Sequence, residues 1–254
     1  MKIDNETWGN IPLLHVYDEQ HATKDTPIVI FVHGFQSAKE HNLHYAYNLV
    51  AQGMRVLLPD AILHGERSEG LSTVEMSMRF WEMVLTNIQE VKYLYDSLRE
   101  KGYTGRFGLA GTSMGGITTL GCLKVYDWIE AAAVYMGTAT YVKLAQGQLA
   151  QIEAQGFDLK MSDDEMQKLM TTLEAFDLSK TPEHLNNRPI YFWHGAKDQT
   201  VPFKLAHDTF VEKFEPLYVE TPERIRFDIA KHEGHKVNRS GMLAGVAWLA
   251  QYLR

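Results

Sequence analysis

Gly111-Thr112-Ser113-Met114-Gly115 is a G-x-S-x-G pentapeptide that follows an apolar run, Arg106 to Ala110, and opens a stretch of helical spacing ending near Tyr126. On a tight strand-to-helix turn a serine presents its hydroxyl outward in a strained backbone, and flanking small residues let the turn close. The start of the following helix adds free amides and a positive dipole end where negative charge would develop. A glycine-rich N-cap has the same letters. The position after a buried run points instead to a nucleophile.

A serine hydroxyl is a poor nucleophile at neutral pH and needs a base that is itself oriented by a carboxylate. Asp198 ends His194-Gly195-Ala196-Lys197-Asp198, just after the apolar run Ile190 to His194. His235 lies in Glu233-Gly234-His235, after the run Ile225 to Ile229. Singly, these read as a turn aspartate and a loop histidine. Together, the order Ser113, Asp198, His235 is the one expected when all three loops leave one edge of a parallel sheet. His232, Asp177 and Asp208 rank behind them: His232 lacks the preceding glycine, and the two aspartates fall within predicted helical segments. Acyl transfer also needs amide donors for the oxyanion. The expected pair is Met114, after the serine, and Phe35, in the loop that follows Val32. His33 is expected to be a buried histidine bonded to backbone.

These loops require strands to launch them. Apolar runs of about five residues alternate with longer stretches of helical period, the signature of βαβ units on a parallel sheet. Strands are predicted at Pro27 to Val32, Arg55 to Leu58, Arg106 to Ala110, Ala131 to Met136, Ile190 to His194 and Ile225 to Ile229. Helices are predicted from Asn42 to Gln52, with Leu43, Tyr47 and Val50 on one face and Gly53 closing it. A long helix from about Val74 to Lys101 and a last one from about Gly241 to Leu253 follow. The expectation is one α/β domain over 1–254, a three-layer α/β/α sandwich with a mostly parallel sheet. The stretch 138–187 is too long for a simple crossover and predicts a helical cap insertion. Within it, Ser162-Asp163-Asp164-Glu165 fits a capping box. Tyr141, Leu144, Leu149 and Phe157 could line an acyl site, although packing among themselves is the commoner use of such residues.

The 254 residues are 45% hydrophobic and 22% charged, as in ordinary globular proteins. With 25 Lys+Arg against 32 Asp+Glu the net charge is −7, opposite to the basic footprint of a nucleic-acid binder. No apolar stretch approaches the roughly 18 residues of a membrane span. The acids in Met1-Lys2-Ile3-Asp4-Asn5-Glu6 do not suit a signal peptide, so a cytoplasmic location is expected. Cys122 is the only cysteine, which excludes an intrachain disulfide and any Cys-based zinc site. Asp60, His64 and Glu66 match no tight metal-ligand spacing and read as a structural loop, with Glu66 and Arg67 in ion pairs. Phosphate-cradling glycine motifs are absent from the sequence.

His33-Gly34-Phe35, Gly111-Thr112-Ser113-Met114-Gly115-Gly116, His194-Gly195-Ala196-Lys197-Asp198 and Gly234-His235 resemble the landmark motifs of the α/β-hydrolase superfamily, and the resemblance covers nearly the whole chain. Pro59-Asp60 with His64-Gly65-Glu66-Arg67, and Val201-Pro202 after Asp198, resemble small bacterial serine esterases of the prolyl-oligopeptidase-like and dienelactone-hydrolase-like branch. The propeller domain of that branch's secreted peptidases is not expected here. It differs from dienelactone hydrolases in having Ser113 where they have cysteine. The resemblance implies hydrolysis of a small carboxylic ester through an acyl-enzyme, without cofactor or metal. An aminopeptidase or amidase of the same fold, and a non-catalytic binding homologue, are the alternatives.

Overall fold

Strands that bury both faces cannot alternate apolar and polar residues, and five central segments of this chain are predominantly apolar, with Arg55, Thr112 and His194 at or next to strand ends. In the computed structural model, which describes residues 1–154, 156 and 161–254, they are β3 (Ile28–Val32), β4 (Arg55–Pro59), β5 (Phe107–Thr112), β6 (Ala131–Tyr135) and β7 (Ile190–Gly195), all fully buried. With β8 (Ile225–Ala230) they run parallel, and the eight-stranded sheet has the order β1-β2-β4-β3-β5-β6-β7-β8.

The first two strands, β1 (Lys2–Trp8) and β2 (Ile11–Tyr17), form an antiparallel hairpin that adds antiparallel to β4. Sequence reading does not anticipate it. The edge strand β1 is held by polar pairs instead of an apolar stripe: Tyr17 Oη donates to Asp4 at 2.8 Å and Trp8 Nε1 donates to Glu6 at 2.6 Å.

Successive residues of each central strand enter two cores, one per sheet face. Val29 and Phe31 pack with α1 (Leu43–Ala51) and α8 (Arg239–Leu253), through Tyr45, Leu49, Val246 and Leu249. Ile28, Ile30 and Val32 pack with α3 (Phe80–Glu100) and α4 (Met114–Val125), through Val84, Ile88, Leu94 and Ile117. Each such side chain contributes about 1.5–3 kcal/mol relative to exposure.

Two predicted helices are corrected. The buried face of α1 is Tyr45, Ala46, Leu49 and Val50, with Leu43 partly buried against it; of the residues expected there only Tyr47 points away, to solvent at 61% exposure. The long helix is two: α2 (Thr73–Met78) and α3 are separated at Arg79, whose φ of −98° and ψ of 13° end one turn and begin the next. No glycine or proline marks that break.

Between β6 and β7 lie α5 (Tyr141–Ala154), α6 (Asp163–Phe176) and two 3-10 turns. Ser162 and Glu165 make the reciprocal bonds of a capping box at the start of α6. Between β7 and β8, α7 (Phe203–Thr209) continues into π-helical and 3-10 turns.

Candidate active site

Ser113 joins β5 to α4 with φ 53° and ψ −115°, a conformation that costs a non-glycine residue about 1–3 kcal/mol and persists only where the surroundings enforce it. They do so by close backbone approach. A Cβ on Gly115 would lie 1.9 Å from the Val32 carbonyl oxygen, and one on Gly111 would lie 2.4 Å from the Gly115 carbonyl carbon. Strand β3, strand β5 and the first turn of α4 therefore interlock through hydrogen atoms alone. The Ser113 N–H donates to Tyr135 O at 2.9 Å, which ties the turn to β6.

The structure brings Ser113, His235 and Asp198 together from three loops beyond the carboxyl ends of β5, β8 and β7. His235 Nε2 lies 2.8 Å from Ser113 Oγ, and His235 Nδ1 lies 2.7 Å from Asp198 Oδ2. A carboxylate only accepts, so Nδ1 carries the proton and Nε2 accepts from the serine. Asp198 is 1% exposed, and its other oxygen accepts the Thr200 and Val201 amides at 2.9 and 3.1 Å. Burial alone would raise its pKa; contacts with His194 and His235 outweigh that and hold the carboxyl well below the usual carboxylate range. An ionised acceptor is thus fixed under the imidazole.

His194 is the partner that sequence reading missed. Its Nε2 donates to Val201 O at 2.9 Å and lies 3.1 Å from Asp198 Oδ2. The signal was present in the spacing His194 to Asp198, which spans the turn after β7.

Phe35 follows Gly34, where a Cβ would lie 3.3 Å from Thr112 O and 3.5 Å from Ser113 Cβ. The loop therefore abuts the serine turn, and both Phe35 and Ser113 border one cleft. Met114 begins α4, so its amide precedes the helix's own hydrogen-bond ladder. His33 is buried, with Nδ1 donating to Gly34 O at 2.8 Å and Nε2 accepting the Ala61 amide at 3.0 Å.

The other candidates lie elsewhere. His232 is exposed. Asp208 pairs with Lys204 on α7, and Asp177 accepts the amides of Val142 and Ser179. In the loop after β4, Asp60 accepts from Lys39 Nζ at 2.7 Å, Glu66 meets the same ammonium at 2.6 Å, and Arg67 pairs with Glu90. These ion pairs tie the loop to Lys39, in the segment after β3, and to Glu90 on α3.

The cleft over Ser113 has a volume of about 580 Å³. Val74, Met78 and Phe80 from α2 and α3 form one part of its wall, Gln148, Gln151 and Ile152 of α5 another, and Gln199 to Val201 a third. Of the residues considered for an acyl lining, Tyr141 and Leu144 are instead packed in the core, the commoner use of such side chains, with Tyr141 Oη donating to Ile117 O. Leu149 is partly buried and does not border the cleft, and Phe157 lies outside the described residues. Trp81 Nε1 donates to Gln148 Oε1 at 2.9 Å, which fixes that amide.

No helix among the described residues is long and apolar enough to cross a membrane.

Residues 23–172 match the family described as serine aminopeptidase, S33. The Bacillus subtilis protein YitV, whose name carries a provisional esterase label, is 45% identical over the full length of both chains. The Escherichia coli protein named esterase YjfP is 28% identical over 204 residues, 80% of each chain. Among solved structures, TT1662 from Thermus thermophilus superposes with a TM-score of 0.79 at 22% identity, covering 100% of this chain and 99% of that one. The match to more than half of the chain and the full-length relative agree: the chain belongs to the serine aminopeptidase S33 family of α/β-hydrolases.

Proposed function

We propose that this protein is a serine esterase that cleaves small carboxylic esters through an acyl-enzyme. Ser113 Oγ attacks the acyl carbon while its proton passes to His235 Nε2; the resulting imidazolium is stabilised by ionised Asp198. The tetrahedral oxyanion accepts hydrogen bonds from the Phe35 and Met114 amides, each such donor being worth about 10²–10³ in rate. The imidazolium then protonates the leaving alcohol. Water, deprotonated by His235, attacks the acyl-enzyme and releases the acid, and Ser113 recovers its proton.

The observation that carries the reading is the continuous Ser113–His235–Asp198 hydrogen-bond chain, at 2.8 and 2.7 Å. YitV and YjfP, both named as esterases, support the choice of ester. The family description raises an aminopeptidase as the second reading. Such an enzyme needs an anion to hold the substrate ammonium, and among the described residues no carboxylate borders the cleft. We infer further that α5 and α6 act as a cap, since Gln148, Gln151 and Ile152 close the cleft from that side.

The test is Ser113→Ala with p-nitrophenyl butyrate and the matched anilide. The ester is expected to be turned over by the native protein and not by the variant, with the anilide a poor substrate. Wild-type ester turnover by the variant would remove Ser113 from its role.

A further inference from the structure

Two histidines outside the Ser113–His235–Asp198 chain hold the loop that carries Phe35, one on each side of its Cα. The peptide unit before Phe35 consists of the Gly34 carbonyl and the Phe35 N–H, which point in opposite directions because the bond is trans. Gly34 O accepts the His33 ring at 2.8 Å and the Ser37 amide at 3.2 Å, so the direction of the Phe35 N–H is set by what grips its carbonyl partner. The next unit contains the Gln36 N–H, which donates to His64 Nε2 at 2.9 Å. Gln36 has φ 59°, a left-handed conformation that a glutamine adopts only when held there.

His64 is itself fixed. Its Nδ1 donates to Ile62 O at 2.9 Å, leaving Nε2 bare to accept from Gln36. The ring is 3% exposed, packs edge-on against Phe35 with centroids 5.8 Å apart, and sits 5.1 Å from His33. The segment around it is anchored by buried Asp60, which accepts Lys39 Nζ and the Lys39 and Glu66 amides. Burial lowers the pKa of both rings, which favours the uncharged, accepting form that this geometry requires.

We propose that His64, with His33, is a positioning residue: His33 grips the Gly34 carbonyl of the peptide plane before Phe35, His64 accepts the Gln36 amide of the plane after it, and with both planes pinned the Phe35 N–H is held toward the oxyanion. This rests on the reading of Ser113 as nucleophile and Phe35 as oxyanion donor. The role requires the Nδ1–H tautomer. A protonated Nε2 would set one N–H against another and release the turn.

The experiment compares His64→Leu, which removes the acceptor, with His64→Gln, whose amide oxygen can replace it, on enzyme quantified by fluorophosphonate-titrated sites. His64→Leu is expected to lose about 10- to 100-fold in kcat, a fraction of the loss for an oxyanion donor itself, with KM within about twofold. Affinity for a trifluoromethyl ketone, which forms a tetrahedral adduct, is expected to fall by the same factor, and His64→Gln to recover most of it. Wild-type kcat per titrated site in His64→Leu, alongside an inactive Ser113→Ala, would overturn the proposal. Activity surviving in Ser113→Ala would instead overturn the nucleophile reading beneath it. Should His64→Leu not fold, ¹⁵N-histidine NMR of the native protein decides: Nε2 of His64 bare supports the proposal, and Nε2 protonated at neutral pH refutes it.

Discussion

His194 and His235 converge on one atom: Asp198 Oδ2 lies 3.1 Å from His194 Nε2 and 2.7 Å from His235 Nδ1. The other oxygen of Asp198 is occupied by two loop amides. The carboxylate is therefore oriented before His235 reaches it, and neither of its oxygens can exchange places.

That constraint predicts the outcome of Asp198→Asn. The carbonyl oxygen of asparagine must stay on the Thr200 and Val201 amides, which turns its NH₂ toward both rings. His235 is then driven to carry its proton on Nε2, where it can no longer accept from Ser113. A fall in kcat of about 10⁴-fold is expected, with little change in KM. Steady-state kinetics on p-nitrophenyl acetate checks it, and a loss under tenfold would contradict the assigned tautomer.

Gly115→Ala tests the interlock under the serine. Its Cβ would fall 1.9 Å from Val32 O, a backbone atom that cannot rotate away. We expect a loss of about 3 kcal/mol or more, or a fall in Tm of roughly 10 °C, with activity lost alongside. Calorimetry of the variant measures this, and an unchanged Tm would mean the turn is looser than described.

Much of this arrangement was legible in the sequence because its physical causes are local. A parallel strand buried on both faces reads as a near-continuous apolar run, and Ile28 to Val32 and Ile190 to Trp193 do. Gly111 and Gly115 flank Ser113 because backbone passes within contact distance of both. What escaped reading depends on partners far along the chain. His64 meets Gln36 across 28 positions, and nothing in either residue's neighbours announces it. Lys2 to Trp8 carries its inward contacts on Asp4 and Glu6, so its pattern does not look like a strand. Arg79 interrupts a continuous helical period without a breaking residue. Gln148 and Ile152, not Tyr141 and Leu144, face the cleft, since the buried stripe and the cleft-facing stripe of α5 are both compatible with its sequence.

Acid should destabilise the fold above the carboxylate range. Burial pushes the His33 pKa down from 6.5 to about 4. Between those values the unfolded chain binds a proton that the folded chain refuses, so stability rises with pH and is lost as pH falls from about 6.5 to about 4. The full loss from this ring is about 3 kcal/mol. Buried His15 and His64 shift in the same direction. Denaturant midpoints at pH 7, 6 and 5 are expected to decline steadily; a flat profile would mean His33 is protonated in the native state.

Lys39 has no exposed side-chain surface and lies within 3.0 Å of carboxylate oxygens of Asp60, Glu66 and Glu40. Lys39→Met leaves the Asp60 charge buried without its cation, at a cost of about 3–5 kcal/mol. Because Asp60 anchors the segment bearing His64, kcat is expected to fall as well. Adding Asp60→Asn should restore part of the stability, which chemical denaturation of the single and double variants would reveal. Equal losses in both would place the cost outside the buried charge.

The central claim is that His235 makes one particular hydroxyl of this chain reactive. Fluorophosphonate treatment followed by intact mass and peptide mapping tests it most directly. A single adduct per chain on Ser113, abolished in His235→Ala, is the predicted result; an active protein that takes no label, or takes it on another residue, would contradict the account.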